Sequence, residues 1–377
     1  MPDSTAPVRP ATTSDVARLA GVDRACVSVV LNGAKSNVGV SAEARDRILA
    51  AARTLNYRPS AAAQSLVSGR TRQLFVLSSE SGRRRLEEGY PNLRGLIDVA
   101  GERDYRVVVS WLAGGDQGAR QLENLIRDRV CDGLCLFGDQ LPESQIRVLE
   151  RHRLPCVVVG DEPLSASGLE QAFTVRVDFD NFHYAYGAVA WLVSQGHRRV
   201  AYIRHEYEGD QPHNVALRAG YAQALRDLAP ETVPHIEFGA HDQVDITGFL
   251  KRKEYSAVVL GSPRLALKWA RLAREAGLDL PSEILILAFS ERNEILTPFS
   301  DEWQDTLAFA LHDWNDCGRL AGEVLLSWIA SGAVEAGPHL VDTFRTGWCG
   351  ELVRYYSELY WERLRATGQL PRSQAHG

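Results

Sequence analysis

The chain has 377 residues, 45% hydrophobic and 24% charged, with a formal net charge of −6. That length exceeds one compact core and implies two or three domains of ordinary globular make-up, which excludes a disordered or fibrous chain. No apolar run approaches the roughly 20 residues of a membrane span, and the amino-terminal MPDSTAPVRPATTSD has no apolar core behind a basic start, so the expectation is a cytoplasmic protein without membrane partners.

The charge is unevenly spread. Residues 1–73 carry ten Lys or Arg against five Asp or Glu, a net of +5, and the remainder is −11. A small basic head on an acidic body suits a polyanion-binding module joined to a regulatory or catalytic body. The six cysteines, Cys26, Cys131, Cys135, Cys156, Cys317 and Cys349, are scattered through apolar surroundings, which points to reduced thiols. Cys131 and Cys135 lack His or Cys partners at zinc spacing, so neither metal nor cofactor is expected.

In TTSDVARLAG, Val16, Leu19 and Ala20 recur at helical spacing, Thr and Ser precede them as caps, and Gly21 ends the segment. Asp23 can cap a second helix over RACVSVVLN, with Val27, Val30 and Leu31 inward and Arg24, Ala25, Ser28 and Val29 outward. Two such helices across a short turn make a helix-turn-helix. Ser41 then caps a longer helix, AEARDRILAAARTLNY, with Ile48, Leu49, Ala52 and Leu55 on one face. A generic three-helix bundle is the competing reading. The following PSAAAQSLVSG permits a short helix started by Pro59 and capped by Ser60, too short to be stable alone in water.

From Gln73 onward, short apolar runs (LFVLSS, RVVVSWL, GLCLFG, PCVVVGD, RVAYIR, SAVVLGS, ILILAFS) alternate with amphipathic stretches. Such runs suit strands buried on both faces of parallel sheets with right-handed helical crossovers. Two doubly wound lobes follow. A single large Rossmann enzyme is the rival, yet neither a GxGxxG after the first strand nor a P-loop is present. Ligands of open parallel sheets bind at the carboxyl ends of strands, which singles out Ser79, Asp161, Arg218, Ser290 and Glu291. Trp303 and Trp314 fall where the chain should return between lobes, placed to stack on a ring-shaped ligand or to pack in the core. His183, His197, His205 and His213 have no nucleophile arrangement around them, so no catalytic residues are assigned. In the tail CGELVRYYSELYWERLRATGQL, Leu352, Tyr355, Tyr356, Leu359, Tyr360 and Leu364 lie near helical spacing, an amphipathic helix for its own lobe or for another subunit.

SDVARLAGVDRACVSVVLN and VSAEARDRILAAARTLNYRPSAAAQSL together resemble the DNA-binding head of the LacI/GalR family of bacterial transcription regulators. The order of YPNLRGLIDVAGERDYRVVV, QLENLIRDRVCDGLCLFG, VRVDFDNFHYAYGAVAWLVSQGHRRVAYI, RAGYAQAL and AREAGLDLPSEILILAF is similar to the family's effector domain. The resemblance spans about residues 12–348. It implies a small all-α head and an α/β body of two doubly wound lobes, with the fold of periplasmic sugar-binding proteins. It places the DNA-binding domain at 1–58, a hinge helix and linker at 59–72, the effector and dimerisation domain at 73–348 and an extension at 349–377. The lobes are expected at 73–165 plus 295–324, and at 166–294 plus 325–348.

The resemblance further implies that Arg24, Ala25 and Val29 read bases in the major groove of double-stranded operator DNA. Thr12, Ser28, Asn32 and Tyr57 touch phosphates or brace helices, Ala63 helps to position the hinge helix, and Leu66 wedges into a minor-groove step. Asp161 and Arg218 match effector-binding positions, and Ser79, Ser290, Glu291 and Trp303 complete the expected set. The implied protein is a homodimeric regulator, more often a repressor, answering to a small molecule such as a sugar, with pairing of dimers left open. Several departures stand out. Val29 replaces the usual Arg, and Asp23 and Cys26 replace the usual Ser or Thr, which argues for an altered operator; Ser262-Pro263 replaces a common Asn-Asp and Ser290 an Asp, which argues against a simple hexose or pentose.

Overall fold

The structure, a computed structural model, describes residues 11–33, 38–58, 60–78, 91–137, 141–160, 174–204, 212–238, 245–291, 303–335 and 337–352. The head consists of α1 (Thr13–Ala20), α2 (Arg24–Asn32) and α3 (Ala42–Thr54). Each helix begins on a residue whose side chain accepts an orphan backbone N–H: Thr12 from Asp15, Asp23 from Ala25 and Ser41 from Ala44. At α1 the cap is reciprocal, because the Asp15 carboxylate accepts the Thr12 N–H at 3.0 Å. Gly21 closes α1 at φ 63°, a left-handed conformation that glycine adopts without a Cβ penalty.

Val16, Ala17, Ala20, Val27, Ile48, Ala51 and Ala52 make the core of the head. Two expected core residues lie outside it: Leu19 is 53% and Leu49 38% exposed. At about 100° per residue, the buried stripe of α1 swings from Val16 through Ala20 to Ala17, leaving Leu19 on the opposite flank. On α3 it runs from Ala51 through Ile48 to Ala52, which leaves Leu49 off the edge.

A fourth helix, α4 (Ala61–Ser68), follows and ends on Gly69 at φ 70°. Ser60 stands at its N-cap without a side-chain cap bond, so the expected capping role of that hydroxyl is not realised. The body then alternates strand and helix: β1 (Gln73–Ser78), α5 (Pro91–Glu102), β2 (Arg106–Trp111), α6 (Gly115–Arg127), β3 (Gly133–Phe137), α7 (Glu143–His152), β4 (Cys156–Val159) and β5 (Val175–Phe179). The alternation continues with α8 (Asn181–Ser194), β6 (Val200–Arg204), α9 (Pro212–Leu228), β7 (His235–Phe238), α10 (Ile246–Arg252), β8 (Ala257–Leu260), α11 (Pro263–Glu275), β9 (Leu285–Glu291) and β10 (Leu307–His312). The chain closes with α12 (Trp314–Ser331), β11 (His339–Val341) and β12 (Phe344–Trp348).

Two six-stranded sheets result, in the orders β11-β5-β4-β3-β1-β2 and β12-β10-β9-β8-β6-β7. The two orders repeat the same doubly wound plan, all parallel apart from β12, which runs antiparallel to β10. The central strands β3, β4 and β8 are buried at every position, as helices on both sheet faces require. Each fully buried Val or Leu in them contributes roughly 1.5–3 kcal/mol of transfer free energy.

The sheets divide the chain differently from the expected lobes. Hydrogen-bonded pairing with β4 puts β5 in the first sheet, and pairing with β9 puts β10 in the second. α12 packs Cys317, Ala321 and Leu325 against the first sheet, and β11 pairs with β5. The chain therefore changes sheet at 180, at 313 and at 342–343. The reason is chain geometry: a strand joins the neighbour that satisfies its backbone groups, and apolar runs in sequence carry no record of that partner.

The packing of α12 on α5 is backbone-close. A Cβ on Gly318 would stand 1.8 Å from the Asn92 carbonyl oxygen, and one on Gly95 2.0 Å from that of Asn315. Beyond β12 the chain turns helical at 349–352, where Cys349 and Leu352 pack into the core of the second lobe beside Trp303 and Leu307. The rest of the expected tail helix, 353–377, lies outside the described residues.

Candidate DNA interface and effector cleft

α2 presents a distinct outer face. Arg24 and Ala25 are exposed and Ser28 and Val29 half-buried, while Val27 is sealed in the core. Two bonds hold this helix and its neighbour in place: Asp23 accepts the Ala25 N–H at 2.7 Å, and Arg47 from α3 donates its Nε–H to the Ala20 carbonyl at 3.1 Å. Asn32 closes α2 with its amide 3.5 Å from the Ser28 hydroxyl. Beside it, burial raises the pKa of the Tyr57 phenol, opposed by a hydrogen bond with Asn32 and by the charge of Arg24. Asn32 and Tyr57 therefore meet at the carboxyl end of α2. Thr12 is engaged in the α1 capping box. Ala63 and Leu66 sit on α4, but their side chains lie outside the described residues.

A carboxylate of the body fastens the linker that follows α4. Asp132 accepts the Thr71 N–H at 2.7 Å and its hydroxyl at 2.9 Å on one oxygen, and the Arg72 N–H at 3.0 Å on the other. Its own N–H donates to the Gln73 carbonyl at 2.9 Å. Sequence reading missed Asp132, since a lone Asp before an apolar run reads as a turn residue.

At the carboxyl ends of the strands, an aromatic group spans the two sheets. Phe179 ends β5 in the first sheet, and its ring centroid lies 4.2 Å from that of His312, which ends β10 in the second. Trp314 stands edge-on to both, at 4.8 and 5.6 Å, and Tyr184 approaches His312 at 5.3 Å. The register of β9 and β10 sets Leu311 beside Ser290 and His312 beside Glu291. The Tyr184 hydroxyl donates to the Ala310 carbonyl at 2.5 Å and accepts the Ser290 N–H at 3.3 Å, holding these two strand ends together.

Both His312 ring nitrogens are shut off from solvent and have no hydrogen-bond partner among the described residues. Burial pulls its pKa down to about 4, against a smaller opposing pull from Asp313, so the ring is neutral at pH 7 and offers one donor and one acceptor. The sequence signal was weak: a His closing an apolar run differs little from a core residue.

The expected effector residues fare unevenly. Ser290 is buried at the end of β9 and Arg218 is half-buried on α9. Ser79 and Asp161 lie outside the described residues, as does the side chain of Glu291. Trp303 requires correction. It is 4% exposed, packed with Leu307, Phe309 and Leu352, and its indole is covered by the Arg274 guanidinium at 4.2 Å. It sits before the start of β10, the wrong end of the strand for a cleft. Trp314, in contrast, does lie at the crossing. Ser262 caps α11, its hydroxyl accepting the Leu265 N–H at 3.3 Å, with Pro263 in the first helical turn. His183 bonds the Asp180 cap of α8 through Nδ1 at 2.6 Å.

Comparison with known proteins places this geometry. Residues 12–60 match the model for bacterial regulatory proteins of the lacI family, and residues 189–346 match the periplasmic binding protein-like domain. Catabolite control protein A of Priestia megaterium is 25% identical over 343 residues, 88% of this chain and 97% of that protein.

The chain carries a lacI-type helix-turn-helix domain and a periplasmic binding protein-like domain.

The HTH-type transcriptional repressor CytR of Escherichia coli is 28% identical, over 88% of this chain and 94% of its own length. Among solved structures, the lac repressor dimer bound to operator and the anti-inducer ONPF aligns with a TM-score of 0.58 at 21% identity, covering 90% of this chain and 98% of that one. With a matched helix-turn-helix domain and transcription regulators as its relatives, the chain is a DNA-binding transcription regulator rather than an enzyme. No described helix is long and apolar enough to cross a membrane.

Proposed function

We propose that this regulator binds a roughly palindromic operator as a homodimer and acts as a cytoplasmic repressor, released or recruited by a small molecule held between the lobes. The observation that carries the DNA half is the outer face of α2: an exposed Arg24 and Ala25 on a helix whose opposite side is locked in the core. Arg24 would read guanine through two donors, and Ala25 and Val29 would meet thymine methyls. Leu66 of a paired hinge helix would open a central minor-groove step.

A second copy of the chain would cover the outer edge of the first sheet. There β2 exposes Val109 and Trp111 beyond the buried helix contacts of Val107, and α5 on the same side exposes Ile97. The effector would contact Ser290, Arg218 and the neutral His312, with Phe179 and Trp314 offering ring faces. A sugar or related metabolite with adjacent hydroxyls suits one donor and one acceptor; the related CelR was solved with cellobiose.

Two observations favour a second reading, a regulator acting without a small ligand: Ser262 is engaged as a helix cap and Trp303 lies in the core. Selection from a random DNA pool by the purified full chain tests the DNA half. A symmetric motif with a flexible central step supports it, and the absence of any enriched motif from folded, dimeric protein overturns it. A metabolite screen against the selected operator then separates the two effector readings.

A further inference from the structure

Beneath the first lobe, the linker that leaves α4 borders a cleft of about 400 Å³. Gln64 and Ser68 line it from the hinge helix, Arg70 and Arg72 from the linker, and Arg106 from the start of β2. The backbone here is fixed at several points. Asp132 fastens Thr71 and Arg72, the Arg72 carbonyl accepts the Arg106 N–H at 2.9 Å, and the Ser68 hydroxyl accepts the Arg70 N–H at 3.2 Å. Arg72 is held at φ 55°, a conformation that costs a non-glycine residue about a kcal/mol or more.

The charge of this cleft opposes that of the body around it. Residues beyond 73 sum to −11, yet the walls bring three guanidinium groups together against one lining carboxylate, Asp104. Asp104 meets Arg72 at 3.7 Å, with both side chains more than half exposed, an arrangement that holds a guanidinium weakly. The Asp132 carboxylate, bonded to Thr71 and Arg72, is a second negative charge nearby, which leaves the three arginines in excess by one.

We propose that this cleft receives a backbone phosphate of the operator, flanking the minor groove in which the hinge helix lies, so that the body adds a DNA contact beyond the recognition and hinge helices. The inference rests on the operator-binding reading above. Two observations carry it: the cleft is continuous with the hinge helix, and its charge complements a phosphodiester. A phosphate contact positions without reading sequence, so Arg106, distant from the head in sequence, would contribute to affinity for all DNA equally.

The test is Arg106→Gln in the full chain, which keeps the backbone N–H that bonds Arg72. Binding to the operator selected by the wild-type protein, and to unrelated duplex, is measured across potassium chloride concentrations, with thermal midpoint and sedimentation as controls for fold and dimer. The expected result is a several-fold loss on both DNAs, with the slope of log K against log salt reduced by about 0.9 per subunit. Arg106→Glu should weaken binding further. An unchanged slope and affinity overturn the contact while leaving operator recognition intact. Stabilisation of the free protein by inorganic phosphate, with DNA binding unchanged in the variant, overturns it in favour of a small anion. If the wild-type chain selects no motif, the operator reading itself fails and this contact fails with it.

Discussion

Arg24 and His312 carry opposite kinds of information. Arg24 is exposed and leaves the fold indifferent to its removal, so Arg24→Ala should relax preference at one base pair per half-site, at a cost of about 1–3 kcal/mol there, in a repeated operator selection. Unchanged preference would reduce Arg24 to a phosphate contact. His312 is coupled to folding. Its pKa is pushed down to about 4 by burial, so as pH falls the unfolded chain takes the proton first. The stability linked to this group is whole above about pH 6.5 and is lost as pH falls through 4, by up to about 3 kcal/mol. Denaturant melts at pH 7 and pH 4.5 should therefore differ less in His312→Gln than in the wild type. Equal acid sensitivity in both proteins would mean that the ring is solvated in solution.

Among the elements, the α5–α12 crossing is the most constrained, since the two helices meet backbone to backbone at Gly95 and Gly318. A methyl at Gly318 cannot be accommodated by a rotamer change, because its obstacle is the Asn92 carbonyl. Gly318→Ala should lower stability by about 1–3 kcal/mol or more, visible as a fall in the thermal midpoint; an unaltered midpoint would mean that the helices are further apart. α12 leaves the second sheet immediately after His312 and docks on the first. A shift of this helix would thus connect the cleft end of β10 with the lobe that holds the hinge.

In the whole molecule, two repeated sheets are joined by three crossings, and under the proposed function an effector would alter DNA binding only through differential affinity for two arrangements of these lobes. In the proposed dimer, pairing through the β2 edge would bring two heads to one operator. Trp111→Asp should raise the dimer dissociation constant about tenfold or more and weaken operator binding in parallel, measured by sedimentation and by titration. A variant that stays dimeric at low concentration would move the interface elsewhere.

The local chemistry of the chain already defined much of this: caps at Thr12, Asp23 and Ser41, glycine at the turn, an outward α2 face and apolar strands that must lie inside a parallel sheet. These are short-range signals, each fixed by backbone hydrogen bonding or by helix and strand period. Which sheet takes β5, β10 and α12, why Trp303 is core and Trp314 is at the crossing, and how Asp132 and His312 acquire their roles depend on partners tens to hundreds of residues away. Strand pairing and burial are decided by the whole packed assembly, so those assignments came only with the folded chain.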